Sequence, residues 1–315
     1  MSELIKNNSD ILFIYDAKLC NPNGDPDDEN RPRMDYEKEI NLVSDVRLKR
    51  YIRDYLQDKG KEIFVTKVDD RTVDATTRLK ILLKKDEITK DDIPAILEKL
   101  VDVRLFGATM TIKANDGGGS SGSSITFTGP VQFNWGYSLN RVELIESSAI
   151  TSRFSSNEGN EQGTIGRDYR LYYSLIAFHG IVSARRATYT KLETETLEQL
   201  DEALVKAIPL AATRSKIGQY PCLYLRVEYI DNQTFLGDLR NYIEVYPKTG
   251  LRDRKDLQLE IGSLVSLLKS RKEKVNQVKL YMNPELNTHV NGKPTKTDKA
   301  LVDAIGVEKV FVIKD

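Results

Sequence analysis

The sequence predicts an α+β protein whose elements follow the order β-α-β-β-α-β, a ferredoxin-like or RRM-type frame in which an antiparallel sheet carries both helices on one face. Three observations predict it. Hydrophobic periodicity switches between strand and helix spacing in that order, two long insertions interrupt the order without extending it, and 40% hydrophobic content over 315 residues can fill a real core.

The apolar run from Ile11 to Tyr15 marks the first strand, residues 11–18. Residues 42–56 follow as the first helix. Wound at roughly 100° per residue, Leu48, Tyr51, Ile52, Tyr55 and Leu56 share one face, Lys49, Arg50 and Arg53 share another, and Arg47 stands at its margin. Residues 130–146 read as one bent strand or two, 169–184 as a long strand, 192–208 as the second helix and 222–229 as the last frame strand. The first insertion, 61–129, carries weak helical patterns at 76–83 and 91–100 and a glycine-serine tract at 115–124, which has the composition of a flexible loop tip. No Lys-Ser or Lys-Thr follows those glycines, which argues against a phosphate-cradling P-loop. The second insertion, 150–168, is polar and punctuated by Gly159, Gly163 and Gly166, and reads as a projecting hairpin. Beyond residue 229 a tail is expected to hold a strand at 242–246, an amphipathic helix at 257–274 and a closing strand at 310–313.

Composition limits the function. Lys plus Arg number 47, as do Asp plus Glu, so the whole-molecule field does not attract nucleic acid and any polyanion must be met by a local patch. Cys20 and Cys222 stand alone, with no CxxC and only His179 and His289 for company. A zinc site or disulfide framework is therefore not expected, and the compartment is expected to be reducing cytoplasm. No apolar stretch reaches the length of a membrane span.

The most informative stretch is the loop Asn21-Pro22-Asn23-Gly24-Asp25-Pro26 with Asn30, Arg31, Pro32 and Arg33, followed by the helix that Ser44 introduces. Amide and backbone donors on a tight loop, arginines in a Pro-spaced register and a cationic helix face suit a polyanionic backbone. Asp25, Asp27, Asp28 and Glu29 could hold a hard cation. The reading preferred here is that they stabilise the turn and pair with Arg31 or Arg33, because four acids beside a phosphate groove otherwise repel it.

Taken in order, the motifs resemble one family. They are the 21–26 loop with Asn30 to Arg33, Ser44-Asp45-Val46-Arg47-Leu48-Lys49-Arg50, Leu105-Phe106-Gly107-Ala108, Gly129-Pro130-Val131-Gln132, Thr151-Ser152-Arg153-Phe154, Thr164-Ile165-Gly166, and Thr213-Arg214-Ser215-Lys216 before the 222–229 strand. The chain resembles the repeated backbone subunit of type I CRISPR surveillance complexes (Cascade), a RAMP-superfamily protein of the Csh/Csd type, subtype I-B. The resemblance implies a hand. The RRM-like palm takes residues 1–60, 130–149 and 169–315 with its C-terminal extension, the fingers take 61–129 and the thumb hairpin takes 150–168. It further implies a non-enzymatic, prokaryotic, cytoplasmic protein that binds crRNA, polymerises head to tail along it, and presents it to target DNA beside guide-end caps and large and small subunits. No cofactor or metal is expected.

A subunit that accepts every guide reads phosphate and sugar only. On this resemblance Lys49, Arg50 and Arg53 are expected on phosphates, Arg47 on the RNA or on a neighbour, and Asn21, Asn23 and Ser44 on sugar or phosphate oxygens. Arg214 and Lys216 are expected to close the groove, Arg31, Arg33, Arg167 and Ser215 to bind the RNA, with a purely structural role the alternative for Arg33, and Arg153, Phe154, Thr164 and Ile165 to form the thumb contact. Family thumbs often place methionine where Ile165 stands; the stiffer Ile165, Phe154 or both can serve as the apolar wedge. The competing expectation is a subunit of the type III kind that cleaves target RNA with a metal held by the acidic loop.

Overall fold

The apolar run near the start of the chain becomes the middle of a nine-stranded sheet. The computed structural model describes residues 3–112, 123–146, 149–151 and 165–314, and among them it holds five sheets and eight α-helices. The strand Ser9–Cys20 lies antiparallel between Leu171–Val182 and Gln219–Tyr229, with Phe13 opposite Phe178 on one side and Tyr224 on the other. Gly136–Ser138, Ile40–Val43 and Met34–Asp35 extend the sheet one way; Val275–Met282 and the parallel edge strand Val310–Val312 extend it the other way. The frame strands thus lie in the order last, first, third, second.

Both faces of this sheet are covered. A strand with a period of two sends Ile11, Phe13, Tyr15 and Ala17 to one core and Leu12 and Ile14 to another, which is why the run is continuously apolar instead of alternating. The first core is roofed by the helices Asp45–Asp58 and Thr194–Leu210, through Leu48, Ile52, Leu200 and Leu204. The second is roofed by the tail, through Leu239, Leu257, Leu259, Leu264, Leu268 and Leu301. Cys20 belongs to the first core and Cys222 to the second, and both are free thiols.

The 61–129 insertion has a core of its own, built from Phe64, Leu79, Ile88, Ile96, Leu97, Leu100, Val103 and Met110. Helices Ala75–Leu83 and Ile93–Lys99 occupy the two weakly patterned stretches. The sequence signal missed the next helix, Val101–Phe106, and the hairpin Gly107–Ile112 with Ser123–Thr128. Gly107 (φ +79°) makes the turn between them, and a Cβ there would lie 2.0 Å from the Phe127 carbonyl oxygen. That close approach explains why glycine follows Leu105-Phe106. Residues 115–122 of the glycine-serine tract lie outside the described residues.

Two further expectations need correction. The predicted helix at 257–274 begins as the strand Gln258–Glu260, and only Gly262–Ser270 is helical. The strand is drawn out by pairing with Glu244–Tyr246 and Thr288–Val290, and the Glu260 carboxylate accepts from the backbone N–H groups of Gly262, Asn291 and Gly292. Such tertiary partners override a helical pattern. The first helix also starts three residues late, because Ile40–Val43 is a strand and Ser44 caps the helix by accepting from the Arg47 N–H at 3.3 Å.

Candidate nucleic-acid interface

At the C-terminal end of the Ser9–Cys20 strand the chain turns into a rim that gathers most of the sequence-predicted residues. Asn21 donates its backbone N–H to the Ser215 carbonyl (2.9 Å) and its side-chain N–H to the Asn30 carbonyl (2.8 Å), and its own carbonyl accepts from Lys216 Nζ (2.5 Å). The Asn23 Oδ1 accepts from both the N–H (2.8 Å) and the hydroxyl (3.0 Å) of Ser44, tying the loop to the helix start. These amides are thus builders of the loop, and the surface they hold up is cationic.

The acidic segment is committed to that loop. Gly24–Asp25 pairs with Arg31–Pro32 as a short hairpin, whose tip carries Glu29 and Asn30 at positive φ (+46° and +61°). Asp25 binds Arg33 at 3.1 Å, Asp28 lies 3.8 Å from Arg31, and Glu29 accepts from Arg167 and the Tyr169 hydroxyl. The Tyr169 and Arg167 hydrogen bonds hold the Glu29 carboxyl below its ordinary range. The loop is thereby fastened to the base of the second insertion, where Ala149–Thr151 pairs with Ile165–Arg167. A groove of about 380 Å³ runs beside this junction, lined in part by Arg31, Arg167, Tyr169 and Arg170. Arg153, Phe154 and Thr164 lie outside the described residues, and Ile165 is placed only by its backbone pairing with Thr151.

The basic face of the first helix is not the open surface its winding suggests. The insertion packs against it. Lys49 is ion-paired with Asp45 at 2.9 Å, Arg50 with Asp54, and Arg50 also donates to the Val65 carbonyl at 2.8 Å. Arg53, with 10% of its side chain exposed, binds Asp102 (1% exposed) at 2.9 Å and lies over the Phe106 ring at 5.2 Å. Asp102 also accepts from the Phe64 and Val65 N–H groups. Helical winding gives the direction of a side chain and not what an insertion places opposite it.

Arg47 and Lys216 belong to the rim. The Arg47 guanidinium carbon stands 3.9 Å from the Tyr51 ring centroid, its Nε buried without a partner, and Lys216 stands close enough for the two charges to repel. Arg214 lies at 3.4 Å from Asp168 with its head exposed. Sequence reasoning missed Arg170, which donates to the carbonyls of Leu19 and Arg214 and to Asp168, joining three segments of the rim.

Trp135, the chain's only tryptophan, was missed as well. It follows the short strand Val131–Phe133, is 43% exposed, and has the Arg33 guanidinium 5.7 Å from its ring centroid. An exposed aromatic beside a cation offers a base a stacking surface. Single-stranded RNA is expected to quench the intrinsic tryptophan fluorescence of the purified chain; an unchanged spectrum at saturating RNA places Trp135 off the path.

The rim presents guanidinium and ammonium groups at the end of a sheet that has a buried core on each face, an arrangement suited to holding a phosphodiester backbone. Among the described residues no group of three or more His, Cys, Asp or Glu is placed to hold a metal ion, and no helix is long and apolar enough to cross a membrane. A family profile, "CRISPR-associated protein Cas7", matches residues 7–262. A "CRISPR-associated protein Cas7" from Haloferax volcanii is 35% identical over 312 residues, covering 93% of this chain and 92% of the relative. Two solved structures share the fold. A chain of a "CRISPR RNA-guided surveillance complex, pre-nicking" has a TM-score of 0.53 at 13% identity, covering 96% of this chain and 100% of its own. A chain of a "CRISPR RNA-guided surveillance complex" has a TM-score of 0.50 at 15% identity, with 96% and 99% covered. The profile match and the 35%-identical, near-full-length relative establish that this chain belongs to the Cas7 family of CRISPR-associated proteins.

Proposed function

We propose that the chain is the guide-RNA backbone subunit of a type I Cascade complex, of subtype I-B. It binds crRNA through the rim, polymerises head to tail along it, and leaves the bases to pair with target DNA in company with the complex's other subunits. The observation that carries this reading is the conjunction of Cas7 membership with a cationic rim at the end of a sheet covered on both faces. Contacts confined to phosphate and sugar accept every guide alike, and sequence recognition passes to base pairing. In this reading the sheet with its two helices is an RRM-type palm, the 61–129 insertion the fingers, and the hairpin based on Ala149–Thr151 and Ile165–Arg167 the thumb.

The subunit is proposed to be non-enzymatic and to work in the prokaryotic cytoplasm. Supporting the first point, Asp25 and Glu29 are engaged by Arg33, Arg167 and Tyr169, which favours a turn-stabilising role for these two acids. Two measurements test the proposal. RNA co-purifying with the chain is expected to be unrelated in sequence except for guide repeats, and filament length is expected to track guide length. Magnesium-dependent cuts at regular spacing in guide-complementary RNA, lost on changing Asp25, Asp27 and Asp28 to Asn, would replace it with the nuclease reading.

A further inference from the structure

A second cationic surface lies at the far end of the sheet from the rim. The strand Leu171–Val182 starts opposite Cys20, and its 12 residues carry the chain roughly 36 Å, at about 3.3 Å each, to the short helix Ala184–Thr190. Ser183 caps that helix by accepting from the Arg186 N–H, and Ala184, Ala187 and Thr190 form its buried side. Arg185, Arg186, Thr188 and Tyr189 are left outside, with Tyr189 65% exposed and the exposed Lys191 just beyond. The two arginines stand four and three residues before Tyr189, so they share a helix face with its ring. Among the described residues no ion pair involves Arg185, Arg186 or Lys191, and the nearest carboxylates along the chain, Glu193 and Glu195, act on Arg104. The helix packs against the strand Ser123–Thr128 of the insertion. That strand and its partner Gly107–Ile112 contain no charged residue, and Thr109, Thr126 and Thr128 are exposed on them. Free guanidinium groups, an open aromatic ring and a margin of hydroxyl groups are thus brought together.

We propose that this surface is a second nucleic-acid site, and that its ligand is a single DNA strand other than the guide. Guanidinium forks match phosphate oxygens, and an exposed ring carries a base of any sequence. Hydroxyl groups are common donors to phosphate, so the neutral, threonine-bearing hairpin favours a phosphodiester strand over the acidic face of a protein. The inference rests on the guide-backbone reading above and goes beyond it. A guide that pairs with one strand of a DNA duplex releases the other, a polyanion with unpaired bases held close to the complex. The rim, once filled by RNA, is not free to hold that strand. The far surface is.

The test loads the full-length chain with a guide RNA lacking adenine runs, checks loading by co-migration, and titrates it with fluorescein-labelled oligothymidylate, which cannot pair with that guide. Loaded wild type is expected to bind the DNA with an affinity that falls as salt rises. Arg185→Ala with Arg186→Ala is expected to weaken DNA binding about tenfold or more and to lower the logarithmic salt slope by about 1.4, two phosphates at roughly 0.7 each, with RNA loading unchanged. Tyr189→Ala is expected to lose about tenfold, and Tyr189→Phe to keep the affinity. Arg185→Lys with Arg186→Lys is expected to keep the slope. Lys269→Ala with Arg271→Ala, which removes two exposed charges from the tail, is expected to change neither. Wild-type DNA binding by the double arginine-to-alanine variant, or an equal loss in the tail variant, overturns the site. So does a loss of RNA loading in the arginine variant, which would make the surface part of the guide path. Loaded wild type that binds no DNA overturns the nucleic-acid assignment and leaves the face to an acidic protein. Each of these results leaves the guide-backbone reading standing, whereas a wild type that loads no RNA overturns both.

Discussion

Replacing Arg47, Arg214 and Lys216 together with alanine will weaken binding of single-stranded RNA of every sequence by a common factor. It will also flatten the logarithmic salt dependence by about 2, since each neutralised phosphate on a single strand contributes roughly 0.7. Each charge-assisted hydrogen bond adds about 1.5–3 kcal/mol, so the loss at low salt is expected to reach orders of magnitude. The companion variant, Lys49→Ala with Arg50→Ala, is expected to leave the slope nearly unchanged, because both side chains are already paired, with Asp45 and Asp54. Fluorescence anisotropy at several salt concentrations separates the two sets. A slope that falls with the second pair and not with the first would return the RNA path to the helix face.

Asp102→Ala is expected to be the most damaging single change to the fold. It removes the partner of the buried Arg53 and strands the Phe64 and Val65 N–H groups, all three of which bond Asp102. Breaking a buried pair from one side costs about 3–5 kcal/mol, most of it an uncompensated charge. The insertion has its own core, so the damage is expected to be local: protease cleavage within 61–106 accelerates while the main sheet stays protected. Asp102→Asn keeps an acceptor and is expected to fall between. Cleavage at wild-type rates in Asp102→Ala would mean that apolar packing alone holds the insertion to the first helix.

The main strands and helices were legible because their determinants are local. The apolar run at residues 11–15, the helical spacing from Leu48 to Leu56 and the strand near residue 171 each bury a regular pattern, and such patterns survive in a one-dimensional reading. What escaped depends on partners distant in sequence. Glu260 is strand-bound because Asn291 and Gly292 donate to it. Val275–Met282 joins the main sheet only because Gln219–Tyr229 offers it an open edge. The site divides the same way. The 21–33 loop and the 213–216 segment were readable as loop chemistry, and they meet through Asn21. Arg53 was misplaced because its acid lies 49 positions away, and Arg170 and Trp135 carry no motif that marks them.

The position of the rim at the end of the central strand also has a mechanical meaning. On the proposed reading, tension on an RNA held by the rim would reach the sheet through Asn21, one residue beyond Cys20, at the end of a strand paired antiparallel on both sides. Interstrand bonds lie across that axis, so a lengthwise pull loads both ladders in shear, many bonds sharing the force, whereas a sideways pull would peel them singly. The anchor is thus strongest along the axis of that strand.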